Sequence, residues 1–259
     1  MSDFFNKFSR VDYIFGDDYF VKGGGDFALE LIQNLTSYVE VVDSIKQNSS
    51  FYSKYEILEG DRPDQVSQKL YGTPNYHWTF YIMNDNIRAS GWPLTNNELE
   101  KKYKRDFPHQ FIQTTDDLTG VFTVGQIVVG SQSGASGKCL KRYLDNGVLI
   151  IDTQSSYTVE EVANNVTQAE LKASQFTGLP GKITVQATGN EFNAPYYYID
   201  GSKNRVDIDP AVGAGALLTP VTFADFYTEQ NNALKLINVI RPDAINEIVN
   251  TYFQALGTA

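Results

Sequence analysis

The stretch from Tyr55 to Leu94 constrains the fold most, because it sets two helix starts and two helix stops within about 40 residues. Tyr55-Glu-Ile-Leu58 has the composition of a short strand, and Glu59-Gly60 turns the chain. Asp61 is placed to cap a helix whose first turn takes Arg62 or Pro63, where a missing N–H costs nothing. Val66 and Leu70 lie four apart on one helix face. Tyr71-Gly72 ends that helix, since glycine accepts the left-handed conformation just past a C-cap. Thr73-Pro-Asn75 is a second start signal, and Trp78, Tyr81 and Ile82 recur at helical spacing, so a second short helix buries them. Asn84-Asp-Asn86 closes it, and Gly91-Trp-Pro-Leu94 is expected to return in extended form. The pattern reads strand, helix, helix, strand.

The far end of the chain carries a second strong signal. Leu234 to Ile240 is strand-like, and Arg241-Pro242-Asp243 opens a helix. Ile245, Ile248, Val249, Tyr252, Phe253 and Leu256 then form one apolar stripe on a 3.6-residue period, with Gly257 as its stop. An isolated helix of about 14 residues is marginal in water, so that stripe needs a cover: a partner, or the chain's own strand.

Between these signals, residues 109–195 read as an inserted, mostly β domain. Val121-Phe-Thr-Val-Gly125, Ile127-Val-Val129, Val148-Leu-Ile-Ile151 and Gly181-Lys-Ile-Thr-Val-Gln186 are the expected strands. Ser131 to Gly137 is a small polar loop, and Asp145-Asn-Gly147 makes a tight hairpin. Thr158 and Glu161 stand at capping-box spacing, which predicts one short helix. The strands are short and closely spaced, as in a small barrel or sandwich. Both ends of the insertion carry proline, at Pro108 and Pro195. Tyr196-Tyr-Tyr-Ile199 precedes a turn at Asp200-Gly201.

Residues 1–54 form an arm with Phe4, Phe5, Phe8, Tyr13, Ile14, Phe15, Tyr19 and Phe20 in its first 20 positions. A disordered tail is aromatic-poor, so the arm is expected to be ordered, on its own core or on another chain. Tyr38-Val-Glu-Val-Val42 has strand chemistry. The fold class expected is α+β, with boundaries at 1–54, 55–108, 109–195 and 196–259.

Chemistry has little raw material here. The two histidines, His77 and His109, belong to no metal-binding spacing, and one cysteine, Cys139, excludes an internal disulfide or a cysteine-based zinc site. Gly134-Ala-Ser-Gly-Lys138 lacks the glycine and hydroxyl of a phosphate loop, and Gly130-Ser-Gln-Ser-Gly134 has Gln132 where a nucleophile elbow needs serine. Asp200, Asp207 and Asp209 do not follow a calcium-loop order and read as turn residues. No catalytic set, metal or cofactor is expected. A net charge of −10, from 31 acids against 21 bases, argues against nucleic acid and against an anionic membrane surface. No apolar run nears the length of a membrane span, and MSDFFNKFSR has no secretory pattern, so synthesis in a reducing cytoplasm is expected. With 16 Tyr and 16 Phe, the composition suits protein interfaces.

Tyr55-Glu-Ile, Gly60-Asp61, Leu70-Tyr71-Gly72, Trp78 and Met83-Asn84, in that order, resemble a LysM module, with a bulkier second helix and no tandem copy. Taken with Tyr76-His-Trp78, Met83-Asn-Asp-Asn86, Gly91-Trp-Pro-Leu94 and the terminal Arg241-Pro242-Asp243 helix, the chain resembles the baseplate wedge protein 53 family of contractile-tailed phages. The likeness covers roughly residues 51–108 and 222–256, and the β insertion lies outside the family's minimal form. It implies a non-enzymatic structural subunit of the virion tail baseplate that joins wedges around the hub. It implies as partners the other wedge subunits and the sheath-initiating protein. The candidate partner contacts are Gly60, Asp61, Tyr71, Tyr76, Trp78 and Trp92, with the stripe Ile245, Ile248, Val249, Tyr252, Phe253 and Leu256. A peptidoglycan-binding LysM protein is the alternative.

Overall fold

The computed structural model describes the backbone of residues 10–14, 29–33, 45–166 and 181–258, and the side chains of 45–165 and 181–255. Along the chain run strands β1 (Arg10–Ile14), β2 (Leu29–Gln33) and β3 (Tyr52–Glu56), then helices α1 (Pro63–Tyr71), α2 (Trp78–Met83), α3 (Asp85–Ser90) and α4 (Asn96–Asp106). Strands β4 (Gln110–Gln113), β5 (Ile127–Gly130), β6 (Ser136–Tyr143), β7 (Val148–Asp152), β8 (Val162–Val166), β9 (Lys182–Thr184) and β10 (Ala187–Asn190) follow. Next come β11 (Pro195–Ile199), β12 (Arg205–Val206), β13 (Thr219–Thr222), helix α5 (Phe223–Ala233), β14 (Leu236–Ile240) and helix α6 (Ile245–Thr258). The α+β class holds. Contacts divide the chain into two bodies, residues 1–93 with 232–259, and residues 94–231. The division falls outside the expected insertion ends at 109 and 195.

In the first body β3 pairs antiparallel with β14, Tyr52 opposite Ile240 and Glu56 opposite Leu236. This corrects the expectation for residues 91–94, which form no strand. Pro93 has no N–H for a ladder, and the Trp92 indole N–H donates instead to the Asp61 carbonyl at 2.6 Å. The strand paired with β3 therefore comes from residues 236–240. Helix α1 opens at Arg62, not Asp61, with Pro63 at its first position. Gly72 closes it at φ 73°, its N–H bonded to the Gln68 carbonyl. The chain stays helical past Asn84, as α3. The body has two apolar clusters: Ile57, Val66, Phe80, Ile87, Ile237 and Val239, and Ile45, Met83, Ile240, Ile245, Ile248 and Val249. β1 and β2 form a separate two-stranded antiparallel sheet. Of the arm's aromatics only the backbone of Tyr13 falls within it, beside that of Ile14, and Tyr38 to Val42 lies outside the described residues.

In the second body seven strands make one antiparallel sheet, in the order β10-β4-β7-β6-β5-β8-β9. β7 is central and buried on both sides. Leu149 and Ile151 face a cluster with Ile112, Val128, Cys139, Ala163 and Ile183, and Val148 and Ile150 face Phe111, Ala194 and Phe223. This is period-two alternation with both faces apolar, which explains the unbroken run Val148-Leu-Ile-Ile151. The edge strands β9 and β10 are joined only by Val185 and Gln186, so the sheet curls until its two edges lie close together. The β6–β7 turn ends at Gly147, φ 63°, where a Cβ would collide with the Thr114 carbonyl oxygen. A smaller sheet, β12-β11-β13, lies beyond.

Two further expectations are corrected. Val121 to Gly125 is a run of turns, with Phe122 at φ 51° and fully buried as a plug in the sheet's cluster. Thr158 to Glu161 starts no helix, because the Glu161 carboxylate holds another loop and the chain enters β8 instead. Helix α4 was unforeseen. It opens on a reciprocal capping box, the Thr95 hydroxyl accepting from the Glu98 N–H and the Glu98 carboxylate accepting from the Thr95 N–H. Helix α5 opens with Thr222 and Asp225 in the same arrangement. The ends of this body are stitched together. The Asn231 amide accepts from the Leu94 N–H at 2.8 Å and donates to the Leu94 carbonyl at 2.9 Å.

Candidate functional site

The residues singled out from sequence converge in the first body, where most of them hold it together. The Tyr71 hydroxyl donates to the Ile240 carbonyl at 2.8 Å, and burial pushes that phenol's pKa well above its ordinary value. Its ring meets Tyr76 edge-on at 5.8 Å and stacks with Phe80 at 6.1 Å. Tyr76 donates to the Asn246 side chain at 2.8 Å, which ties the chain before α2 to α6. Trp78 packs against Tyr252 and Phe253, each at 5.4 Å between ring centres. Trp92 packs on Phe80 and Tyr81.

Helix α6 settles where its stripe goes. Ile245, Ile248, Val249 and Tyr252 are buried, and Phe253 is partly buried against the same cluster. The cover is the chain's own α2 and β14, so these side chains are core and are not free for a partner. The Leu256 side chain lies outside the described residues. Gly60 is exposed in its turn at φ 82°. The Asp61 carboxylate takes Lys69 at 2.7 Å, which raises the pKa of the exposed ammonium through that hydrogen bond first.

Sequence reasoning passed over the position that does most here. Asn84 is 6% exposed between α2 and α3. Its amide oxygen accepts from the Asn238 N–H at 2.7 Å, and its amide nitrogen donates to the Asn238 and Phe80 carbonyls, each at 2.8 Å. The side chain thus occupies the outer edge of β14 as a neighbouring strand would. The signal was present in Met83-Asn84, read only as part of a resemblance.

Among the described residues of this body, the turn at Gly60, Phe51, Leu58 and Leu236, and most of helix α3 are exposed. On α3, Asp85 pairs with Lys46 at 3.0 Å and Arg88 at 2.8 Å, and the Lys46 hydrogen bond is the main cause that lowers the Asp85 pKa.

The chemically suggestive motifs of the second body are spent internally. The stretch Gly130 to Gly134, compared above with a nucleophile elbow, turns the Gln132 and Ser133 amides onto the chain's own Glu161 carboxylate, each at 3.0 Å. Burial alone would raise the Glu161 pKa, but the amides of Ser133, Thr158 and Gln132 outweigh it and hold it below the ordinary range. Cys139 is buried with its thiol pushed up to about 11 by desolvation, far from thiolate chemistry. Asp200 accepts from the Ser202 and Asn204 amides, a turn as expected. His77 Nδ1 lies 2.8 Å from the Pro74 carbonyl, and His109 Nδ1 lies 3.5 Å from Asp152. Among the described residues no three His, Cys, Asp or Glu side chains converge as a metal site. Nor is any helix of theirs long and apolar enough to cross a membrane. Compared with known proteins, the chain matches no family model and no curated protein.

Proposed function

We propose that this chain is a structural subunit of the tail baseplate wedge of a contractile-tailed phage, working through protein–protein contacts that join wedges around the hub. One observation carries the reading. The two stretches that resemble the wedge family are far apart in sequence, yet their strands β3 and β14 are hydrogen-bonded partners in one body. A chance likeness gives no reason for such pairing. The order β3, α1, α2 and β14 supports a LysM-like module whose last strand arrives after an insertion. The curl of the seven-stranded sheet, with β9 and β10 joined by two residues, supports a small barrel as that insertion. Contacts with other wedge subunits and the sheath-initiating protein fall to exposed groups such as Gly60, Leu58 and Leu236, since Tyr71, Trp78, Trp92 and the α6 stripe from Ile245 to Phe253 pack within the chain. The test is co-expression with the wedge subunits encoded beside it. A stable complex that Leu58→Asp with Leu236→Asp dissolves, while the lone protein keeps its melting temperature, supports the reading. A protein that joins no such complex sinks it.

A peptidoglycan-binding role is the second reading, favoured by the exposed Gly60 turn at the end of β3 in a LysM-like order. Saturable binding to purified sacculi, lost on changing that turn, would promote it. A lone module gains no avidity from repeats, so weak binding is the most it offers.

A further inference from the structure

We propose that the cleft between the β6–β7 turn and the β11–β12 hairpin of the second body binds an uncharged saccharide. The cleft holds about 410 Å³, within the range of small-ligand sites. Its lining includes Arg142, Tyr143, Asp145, Tyr197, Arg205 and Asp207. Two guanidinium groups and two carboxylates leave it with no net charge.

These charged groups do not neutralise one another. Among the described residues, the Asp145 and Asp207 carboxylates are exposed and make no hydrogen bond or ion pair. Arg205 makes no side-chain hydrogen bond and stands 5.2 Å over the Tyr197 ring. Arg142 donates one N–H to the Leu118 carbonyl and its Nε is buried, so Arg205 is the guanidinium open to a ligand. Acceptors and donors are thus set around a ring with their hydrogen-bonding capacity unspent. Vicinal hydroxyls match that set, giving protons to a carboxylate and accepting them from a guanidinium, while the C–H face of a sugar lies on an aromatic ring. A phosphate would meet two carboxylates, a cation would meet two arginines, and an apolar ligand would strip water from all four. The walls are braced. The Asn146 amide donates to the Pro195 and Tyr196 carbonyls, and the Asp200 carboxylate pins the hairpin turn through the Ser202 and Asn204 amides. This inference is independent of the wedge reading.

The test uses the full chain, titrated by ligand-observed NMR with maltotriose, cellotriose and triacetylchitotriose, and separately with inorganic phosphate. Saturable binding of at least one trisaccharide is expected. Arg205→Ala and Asp207→Ala should each weaken it about tenfold or more, as lost charged hydrogen bonds do. Asp207→Ala should not move the melting temperature, because that side chain is exposed and unpaired, and Arg205→Ala should lower it only slightly, since it loses one exposed contact with the Tyr197 ring. Asp61→Ala, in the other body, should leave the affinity within about twofold, since distant sites act independently. Sugar binding that survives both cleft variants, or falls with Asp61→Ala instead, overturns the proposal. So does binding of phosphate alone, or no saturable binding to any of the three sugars.

Discussion

Replacing Asn84 by alanine should unravel the first body more than its one small side chain suggests. Three hydrogen bonds disappear, to the Asn238 N–H, the Asn238 carbonyl and the Phe80 carbonyl. At about 1 kcal/mol net for each bond the loss is about 3 kcal/mol. The Asn238 groups belong to a strand in a two-stranded sheet, with no other strand to take them over. Both tryptophans, Trp78 and Trp92, lie in this body, so tryptophan fluorescence reports it selectively. The expected readout is a fall of about 10 °C in the fluorescence melting temperature, at roughly 3 °C per kcal/mol.

Asn84→Asp adds a pH signature. An ionised carboxylate still accepts from the Asn238 N–H but faces two carbonyl oxygens where a donor stood. The folded state therefore favours the protonated acid, and the pKa of the introduced carboxyl is raised above its unfolded value. Relative to wild type at the same pH, this variant should be least destabilised below the unfolded pKa of about 4 and progressively worse as pH rises through the folded pKa. An alanine variant within about 0.5 kcal/mol of wild type (the limit of a neutral surface change), or an aspartate variant with a pH-independent deficit, would refute the account of Asn84 as a surrogate strand.

Glu161→Gln should destabilise the second body by about 3 kcal/mol, since an amide cannot accept from Gln132, Ser133 and Thr158 together. The wild-type carboxylate is held below 4.5, so its contribution is complete above that pH and is lost as pH falls through the folded value. Acid titration followed by near-ultraviolet circular dichroism should give the variant a shallower acid limb. Gly147→Ala should cost at least about 2 kcal/mol in chemical denaturation, from a left-handed backbone and a carbonyl in the way of Cβ. A fragment of residues 94–231 should unfold cooperatively. One of residues 110–195 should bind a hydrophobic dye and melt without a transition, because it omits Phe107, Tyr196 and Phe223, which cover one face of β7.

Local signals were legible where the chain solves a local problem. Gly72, the Asp145-Asn-Gly147 turn and the α6 stripe from Ile245 to Phe253 behave as their spacing says, but Gly257 does not stop α6, which runs on to Thr258. The capping signal shows where local reading fails. Thr-x-x-Glu or Thr-x-x-Asp occurs at Thr95, Thr114, Thr158, Thr167, Thr188 and Thr222. It opens helices at Thr95 and Thr222, but the sequence reading used it only at Thr158. There Glu161 does accept from the Thr158 N–H, yet its remaining lone pairs go to a loop some 30 residues upstream, and the chain turns into a strand. Nothing within a short window announces that. Strand partnership was equally hidden. Residues 91–94 look extended, and only the arrival of Leu236 to Ile240 decides the pairing. Of the candidate contacts, Tyr71, Trp78, Trp92 and the stripe from Ile245 to Phe253 pack on their own chain, and an aromatic that does so leaves the same trace in sequence as one that packs on a neighbour.

The pairing of β3 with β14 poses a folding problem that Asn231 helps to solve. Closing an unstructured loop of roughly 180 residues costs about 5 kcal/mol, too much for a two-stranded sheet to recover easily. If residues 94–231 fold first, the Asn231 amide brings Leu94 alongside it and the loop between β3 and β14 shrinks to roughly 40 residues, those of α1 to α3 among them. The first body then completes itself last, around ends already brought together. Asn231 is 5% exposed, so Asn231→Leu leaves the Leu94 N–H and carbonyl without their partner and should cost about 2 kcal/mol or more. In stopped-flow refolding, the fluorescence of Trp78 and Trp92 should recover only after the β7 amides gain protection from hydrogen exchange, and Asn231→Leu should slow both phases. A tryptophan signal that recovers before β7 is protected, or that keeps its rate in the variant, would show that β3 finds β14 across an unfolded insertion.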